Sequence, residues 1–141
     1  KQPFYLYQIG IHPFANSAST QSALPNTKAR ILWREECDQT ELVSAFLMRL
    51  EAELPNNATI IFSLDCDAIA APEMEAVSAP NHLGLSLSFV HQLVGFYRDL
   101  NQRRSARNIW GIYEFNPVYD SVSSRSARGM AGLMYRMVFG V

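Results

Sequence analysis

A strongly apolar run, Ala58 to Leu64 (ATIIFSL), leads straight into Asp65-Cys66-Asp67. While a strand persists, residues i and i+2 project from one face, so the two aspartates fall on the same side. Carboxylates that close repel unless a cation stands between them, one is protonated, or water solvates both. A hard divalent metal held by carboxylate oxygens meets that demand economically. The rival reading gives both aspartates a local role, capping the loop or the turn that follows. Glu114 leaves a second strand-like run, Asn108 to Phe115 (NIWGIYEF), just before Asn116-Pro117. It stands at the same edge if the two runs are parallel neighbours. Alone it reads equally as a surface glutamate at a strand end.

The surrounding pattern supplies the elements that would hold these groups. Phe4 to Ile11 and Ala29 to Trp33 are aromatic and β-branched runs that predict strands. The loop between them, His12 to Thr27, is small and polar with Pro13 and Pro25. From Asp38 to Leu54 the period changes, with Leu42, Val43, Phe46, Leu47 and Leu50 at helical spacing. Asp38 followed by Glu41 predicts a capping box at that start. The Ala58 to Leu64 run is apolar throughout, which suits a strand covered on both faces. Asp65 to His82 reads as a long loop. Leu83 to Arg104 and Ser124 to Phe139 read as helices, with Ser86 capping the first. Met130, Leu133, Met134, Met137 and Val138 are expected toward the core. Strand, strand, helix, strand, helix, strand, helix predicts a parallel sheet with helices on its faces. In such sheets ligands bind at the carboxyl ends of the strands, after Ile11, Leu64 and Phe115.

Composition narrows the classes. At 141 residues the chain has the length of one domain, and 48% apolar residues exclude disordered and fibrous classes. Only 18% of residues are charged, against roughly 25% in typical soluble domains, so surface is expected to be hidden against another part of the protein or another subunit. A net charge of −1 gives no electrostatic reason to expect nucleic acid. Cys37 and Cys66 cannot build a disulfide framework, so a reduced, cytoplasmic setting is expected. No apolar run has the length of a membrane span, and none resembles a signal peptide. The chain opens on Lys1 and is strand-like almost at once, which points to a segment of a longer chain.

Taken together the segments resemble the ureohydrolases, the arginase, agmatinase and formimidoylglutamase superfamily. Ser63-Leu64-Asp65-Cys66-Asp67 is similar to the family's Ser-x-Asp-x-Asp. Val77-Ser78-Ala79-Pro80 with Gly84-Leu85 resembles the loop that follows in the formimidoylglutamase branch. Glu114-Phe115-Asn116-Pro117-Val118-Tyr119-Asp120, continued by Ser126-Ala127-Arg128, resembles that branch's Glu-Phe-Asn-Pro-x-Tyr-Asp. Ile9-Gly10-Ile11 with Phe14-Ala15-Asn16 resembles it too. Ala70-Ala71 stands where arginases have Asp-Pro, which points away from arginase itself.

The resemblance implies the C-terminal portion of a three-layer α-β-α parallel sheet of the arginase-like fold, with residues 1–141 belonging to one domain. It implies two manganese ions, with Asp65 bridging both and Asp67 holding one, and a metal-held hydroxide that attacks an amidine or guanidine carbon. Glu114 would pair with the cationic nitrogen group of the substrate, and Asn16 would touch substrate. The implied reaction is hydrolysis of N-formimidoyl-L-glutamate to L-glutamate and formamide in histidine breakdown, by a homo-oligomer.

The family's Gly-Gly-Asp-His and Asp-Ala-His-x-Asp are not in this sequence, so the remaining ligands are expected from N-terminal sequence that the chain lacks. His12, His82 and His91 have none of those neighbours. Alternatives are a binding or regulatory pseudoenzyme with an incomplete metal pair, an arginase- or agmatinase-type guanidine hydrolase, and, last, a phosphohydrolase using Asp65 as nucleophile. Asp120 is expected to order the turn before the last helix. Cys66, between two anions, is expected to keep its proton.

Overall fold

The computed structural model describes residues 4–15, 27–104 and 107–140. The chain divides into two compact units, Lys1–Leu54 and Pro55–Val141. In the first unit β1 (Phe4–Ile11) pairs in parallel with β2 (Thr27–Trp33), and α1 (Thr40–Glu53) follows. The register slips between Ile9 and Ile11, and Gly10 sits there with φ of 83°, a left-handed conformation open to a residue without Cβ. Glu53, at the end of α1, ties the helix to both strands. It accepts from the Tyr7 hydroxyl at 2.8 Å and from Arg30 at 3.0 Å, and from Arg49 of its own helix at 2.8 Å. Arg30, then Arg49 and Tyr7, hold its carboxyl down at about 2. The Tyr7 and Phe46 rings meet edge to face at 6.0 Å.

Asp38 does not cap α1. Residues Arg34–Asp38 form a 3₁₀ turn, the helix starts at Thr40 after Gln39, and no side chain caps it. The Asp38 carboxylate is instead engaged by Arg34 at 2.9 Å, one helical turn back. A reading by residue type alone cannot see that competing partner.

In the second unit β3 (Ile60–Asp65) pairs in parallel with β4 (Asn108–Tyr113), joined through α2 (Leu87–Arg104), and α3 (Arg125–Phe139) follows. One aromatic cluster seats α2 on the strands. Tyr97 packs edge to face on Trp110 at 4.5 Å and tilts against Phe62 at 5.0 Å, and its hydroxyl donates to the Ile60 carbonyl at 2.8 Å. Phe62 and Trp110 are register partners, so one tyrosine spans both strands. Ser86 caps α2 as expected, accepting from Phe89 N at 3.1 Å, and Glu73 accepts from Leu87 N at 2.8 Å. Leu83 to Leu85 are not helical, because Leu85 bridges to Ile69 across the preceding loop.

Two expectations about covering fail here. Along β3 the residues alternate, with Leu64 buried but Ile61 61% exposed, and its partner Ile109 is also exposed. The face opposite Tyr97 is open, so only one face is covered within this unit. In α3 only Met130 and Leu133 of the expected core residues are buried, while Met134 and Val138 are exposed. Those two lie on the side away from α2, which the period alone could not assign.

The segment from Asp65 to Ser86 is more ordered than a loop. Ala70 N donates to Leu85 O, Leu85 N to Ala68 O and Ala71 N to Asn81 O, each at 2.8 Å. Gly84 permits this stitching, since a Cβ there would lie 2.6 Å from Ala70 N and Ile69 C and 2.7 Å from Ala68 O. These are backbone atoms that cannot swing aside. At Gly132 in α3 the nearest atoms, of the His91 ring, are 3.8 Å from a Cβ, which is ordinary contact. Gly84→Ala is therefore expected to lower unfolding stability by about 1–3 kcal/mol. Gly132→Ala is expected to be neutral or to add up to about 1 kcal/mol, because a helical glycine loses excess entropy. Denaturant unfolding of the two variants checks this, and similar losses in both would contradict the packing at Gly84.

Candidate functional site

Asp65 is the last residue of β3, and its register partner Tyr113 is the last residue of β4. The two strand ends are therefore level, one strand spacing of about 4.8 Å apart. Glu114 follows Tyr113 directly. Cys66–Ala68 make a 3₁₀ turn that carries Asp67 back beside Asp65. Asp67 and Glu114 are close enough to disturb the Asp65 carboxyl. Burial first, then the charges of Asp67 and Glu114, push the Asp65 carboxyl above its ordinary range, and Asp67 is within hydrogen-bonding reach of it.

Cys66 points the other way. It is fully buried, and its sulfur contacts the Met130 sulfur at 3.8 Å. Burial, then Asp65, Asp67 and Glu114, push its thiol up to about 11, so it stays neutral at physiological pH. It is packing, with no thiolate for nucleophilic or ligand chemistry.

The backbone at Glu114 is left-handed, with φ of 61°. A non-glycine residue there is held by its surroundings. Asn116 N donates to Ala76 O at 2.7 Å, and Asn116 Oδ1 accepts from Val118 N at 3.1 Å, which starts the turn Pro117–Tyr119. Asp120 closes the far end, accepting from Ser121 N at 2.9 Å, Ser126 N at 3.0 Å and Ala127 N at 2.9 Å. It orders the turn before α3, as its place in the sequence suggests. Burial opposes its charge, yet those amides hold the carboxyl below the usual range.

By sequence Ser78 stands out only within the Val77–Pro80 motif, yet its hydroxyl reaches Glu114 Oε2 at 3.4 Å. Ser126 was quoted only within a motif, yet its buried hydroxyl accepts two backbone amides about 50 residues away, Glu75 N at 3.0 Å and Ala76 N at 3.2 Å. No local signal could reveal either contact. Asn16 lies outside the described residues. His12 is buried, its ring stacked on Phe14 at 5.0 Å, with Glu35 4.0 Å from Nδ1. His82 is exposed, and His91 lies beside Arg136, which with burial lowers its pKa.

Carboxylate oxygens suit a hard divalent cation, and like-charge crowding at Asp65 is the electrostatic condition that a cation relieves. Asp65 and Asp67 therefore fit a share in holding such an ion. Among the described residues, no group of three His, Cys, Asp or Glu side chains is arranged to hold one.

Parallel strand pairs, with carboxylates at the carboxyl edge of β3 and β4, define an α/β protein, and its fold is the arginase-like one. Solved structures agree. The formimidoylglutamase of Bacillus subtilis superposes with a TM-score of 0.78 at 19% identity, covering 96% of this chain and 40% of that one. A Trypanosoma cruzi formiminoglutamase determined with Mn²⁺ superposes with a TM-score of 0.73 at 20% identity, covering 95% and 43%. By sequence, the chain is 28% identical over 138 residues to the formimidoylglutamase of Aeromonas hydrophila, covering 96% of this chain and 41% of that protein. The sequence pattern of the arginase family matches residues 1–140, and the chain belongs to that family. It spans about 40% of the length of the relatives it matches.

The raised Asp65 carboxyl gives a pH prediction. A group that binds its proton more tightly when folded stabilises the fold below the ordinary carboxylate range, and loses that contribution as pH rises through the folded value. At neutral pH the ionised Asp65 works against folding. In metal-free protein, Asp65→Asn is expected to raise the melting temperature at pH 7, with the gain over wild type shrinking toward about pH 3. A variant that melts at or below wild type at pH 7 would contradict the carboxylate crowding.

Proposed function

We propose that this chain is the C-terminal share of a manganese-dependent ureohydrolase that cleaves a C–N bond of a linear amidine, N-formimidoyl-L-glutamate above all. The observation that carries this reading is the level pair of strand ends bearing Asp65, Asp67 and Glu114. Support comes from membership of the arginase family and from relatives that are formimidoylglutamases. The two units are read as parts of a single α/β domain, completed by N-terminal sequence that also brings the remaining metal ligands. The protein is read as cytoplasmic and homo-oligomeric.

In this reading Asp65 and Asp67 would be this chain's share of the ligands that hold manganese. The metal pair supplies an activated water and stabilises developing charge. Glu114 does the orienting. Its two oxygens face a planar amidinium, accept its N–H groups and fix the reacting carbon. The hydroxyl of Ser78 reaches Oε2, and each carboxylate oxygen still has a lone pair for the substrate's N–H groups. Cys66, held neutral and turned into the core, takes no part.

The test is metal analysis of the full-length protein with parallel assays on formimidoyl-glutamate, arginine and agmatine. Bound manganese and preferred turnover of formimidoyl-glutamate are expected. Asp65→Ala should lose metal. Glu114→Gln should keep metal and lose kcat/KM by about a hundredfold or more. Faster turnover of arginine or agmatine would move the assignment to the guanidine hydrolases. No bound manganese and no turnover of any of the three would leave the binding or regulatory reading in its place.

A further inference from the structure

We infer that Ser126 is a positioning residue, whose buried hydroxyl sets the geometry of Glu114 through the loop at Glu75–Ser78. The inference rests on the reading of Glu114 as the carboxylate that orients the amidinium. Ser126 stands in the first turn of α3 and is wholly buried. A serine oxygen has two lone pairs, and here both serve the backbone, one for Glu75 N at 3.0 Å and one for Ala76 N at 3.2 Å. The same peptide segment then turns its other side to the Glu114 loop. Ala76 O accepts from Asn116 N at 2.7 Å, and two residues on, Ser78 Oγ reaches Glu114 Oε2 at 3.4 Å.

Ser126 therefore meets the Glu114 loop twice. Its amide donates to Asp120 at the end of that loop, and its hydroxyl grips the segment that holds the loop's beginning. Ala76 and Val77 are buried, so the gripped segment cannot relax into solvent. Glu114, with its left-handed backbone, lies just before the first of these anchors along the chain, between the end of β4 and Asn116. A conformation that unfavourable persists only where its flanks are fixed. Removing the hydroxyl orphans two amides on the segment that carries Ala76 and Ser78, and that loosens both of its bonds to the Glu114 loop, at Asn116 N and at Glu114 Oε2. No other side-chain acceptor for Glu75 N or Ala76 N is seen among the described residues.

The experiment uses the full-length, metal-loaded protein. Ser126→Ala and the near-isosteric Ser126→Cys, whose sulfur is a weak acceptor, should lower kcat for formimidoyl-glutamate about tenfold while KM changes less than about twofold. Amide hydrogen exchange should quicken at Glu75, Ala76 and Asn116, with α2 unaffected. Ser126→Thr, which keeps the hydroxyl, should recover both kcat and slow exchange. Wild-type kcat in the Ala and Cys variants, or unchanged exchange at Asn116, would overturn the inference. If the wild-type protein turns over none of the three substrates, the proposed function fails by itself. Exchange at Asn116 then still decides whether Ser126 fixes the Glu114 loop.

Discussion

The parallel pairing of β3 with β4 is the constraint on which the rest depends. Register sets Asp65 opposite Tyr113, so two strands end at the same level and release their next residues into the same space. A slip of one residue would reverse the faces of every side chain on one strand. It would turn Leu64 outward and break the match between Phe62 and Trp110 under Tyr97. The aromatic cluster and the carboxylate edge are thus two ends of one device. Burial of three rings fixes the register, and the register fixes where the carboxylates stand.

The same arrangement explains why so little of the chain's surface is polar. The β3–β4 pair is covered by α2 on one face and open on the other, where Ile61 and Ile109 are exposed. Helix α3 turns Met130 and Leu133 inward and leaves Met134, Tyr135, Val138 and Phe139 exposed. Exposed apolar residues along a helix, and a parallel strand pair with one bare face, are surfaces suited to cover by further protein. The charge content of 18% is the compositional trace of these surfaces.

The sequence made the strands, their parallel sense and the carboxylate edge legible, because apolar runs ending in acidic residues need no tertiary information. Asp65, Asp67 and Glu114 could be picked out by their places at the ends of such runs. The cap at Asp38 misled, because Arg34 competes for its carboxylate through a 3₁₀ turn that no local pattern announces. The inward assignment of Met134 and Val138 misled for a different reason. Helical period gives the apolar stripe, but not which neighbour covers it. The contacts of the Ser126 hydroxyl are invisible in the sequence because its partners are about 50 residues away, and serine in a first helical turn reads as local capping.

The candidate site residues are also those that break local rules. Glu114 occupies a left-handed backbone that costs a non-glycine residue roughly 1–2 kcal/mol. Asp65 is an anion crowded by two others. Neither choice helps folding, so each must be offset by neighbours with no share in the chemistry. Asp120 accepts from three amides at one end of the Glu114 loop, and the Ser126 hydroxyl holds the Glu75–Ala76 segment, whose Ala76 carbonyl accepts from Asn116 N at the other. Gly84 lets the segment after Asp67 stitch closely against itself. A site whose own groups repel and strain must be enforced from outside, and here the enforcing bonds reach across the fold to the start of α3. The precision of the carboxylate edge is therefore a property of α3 as much as of the strands that display it.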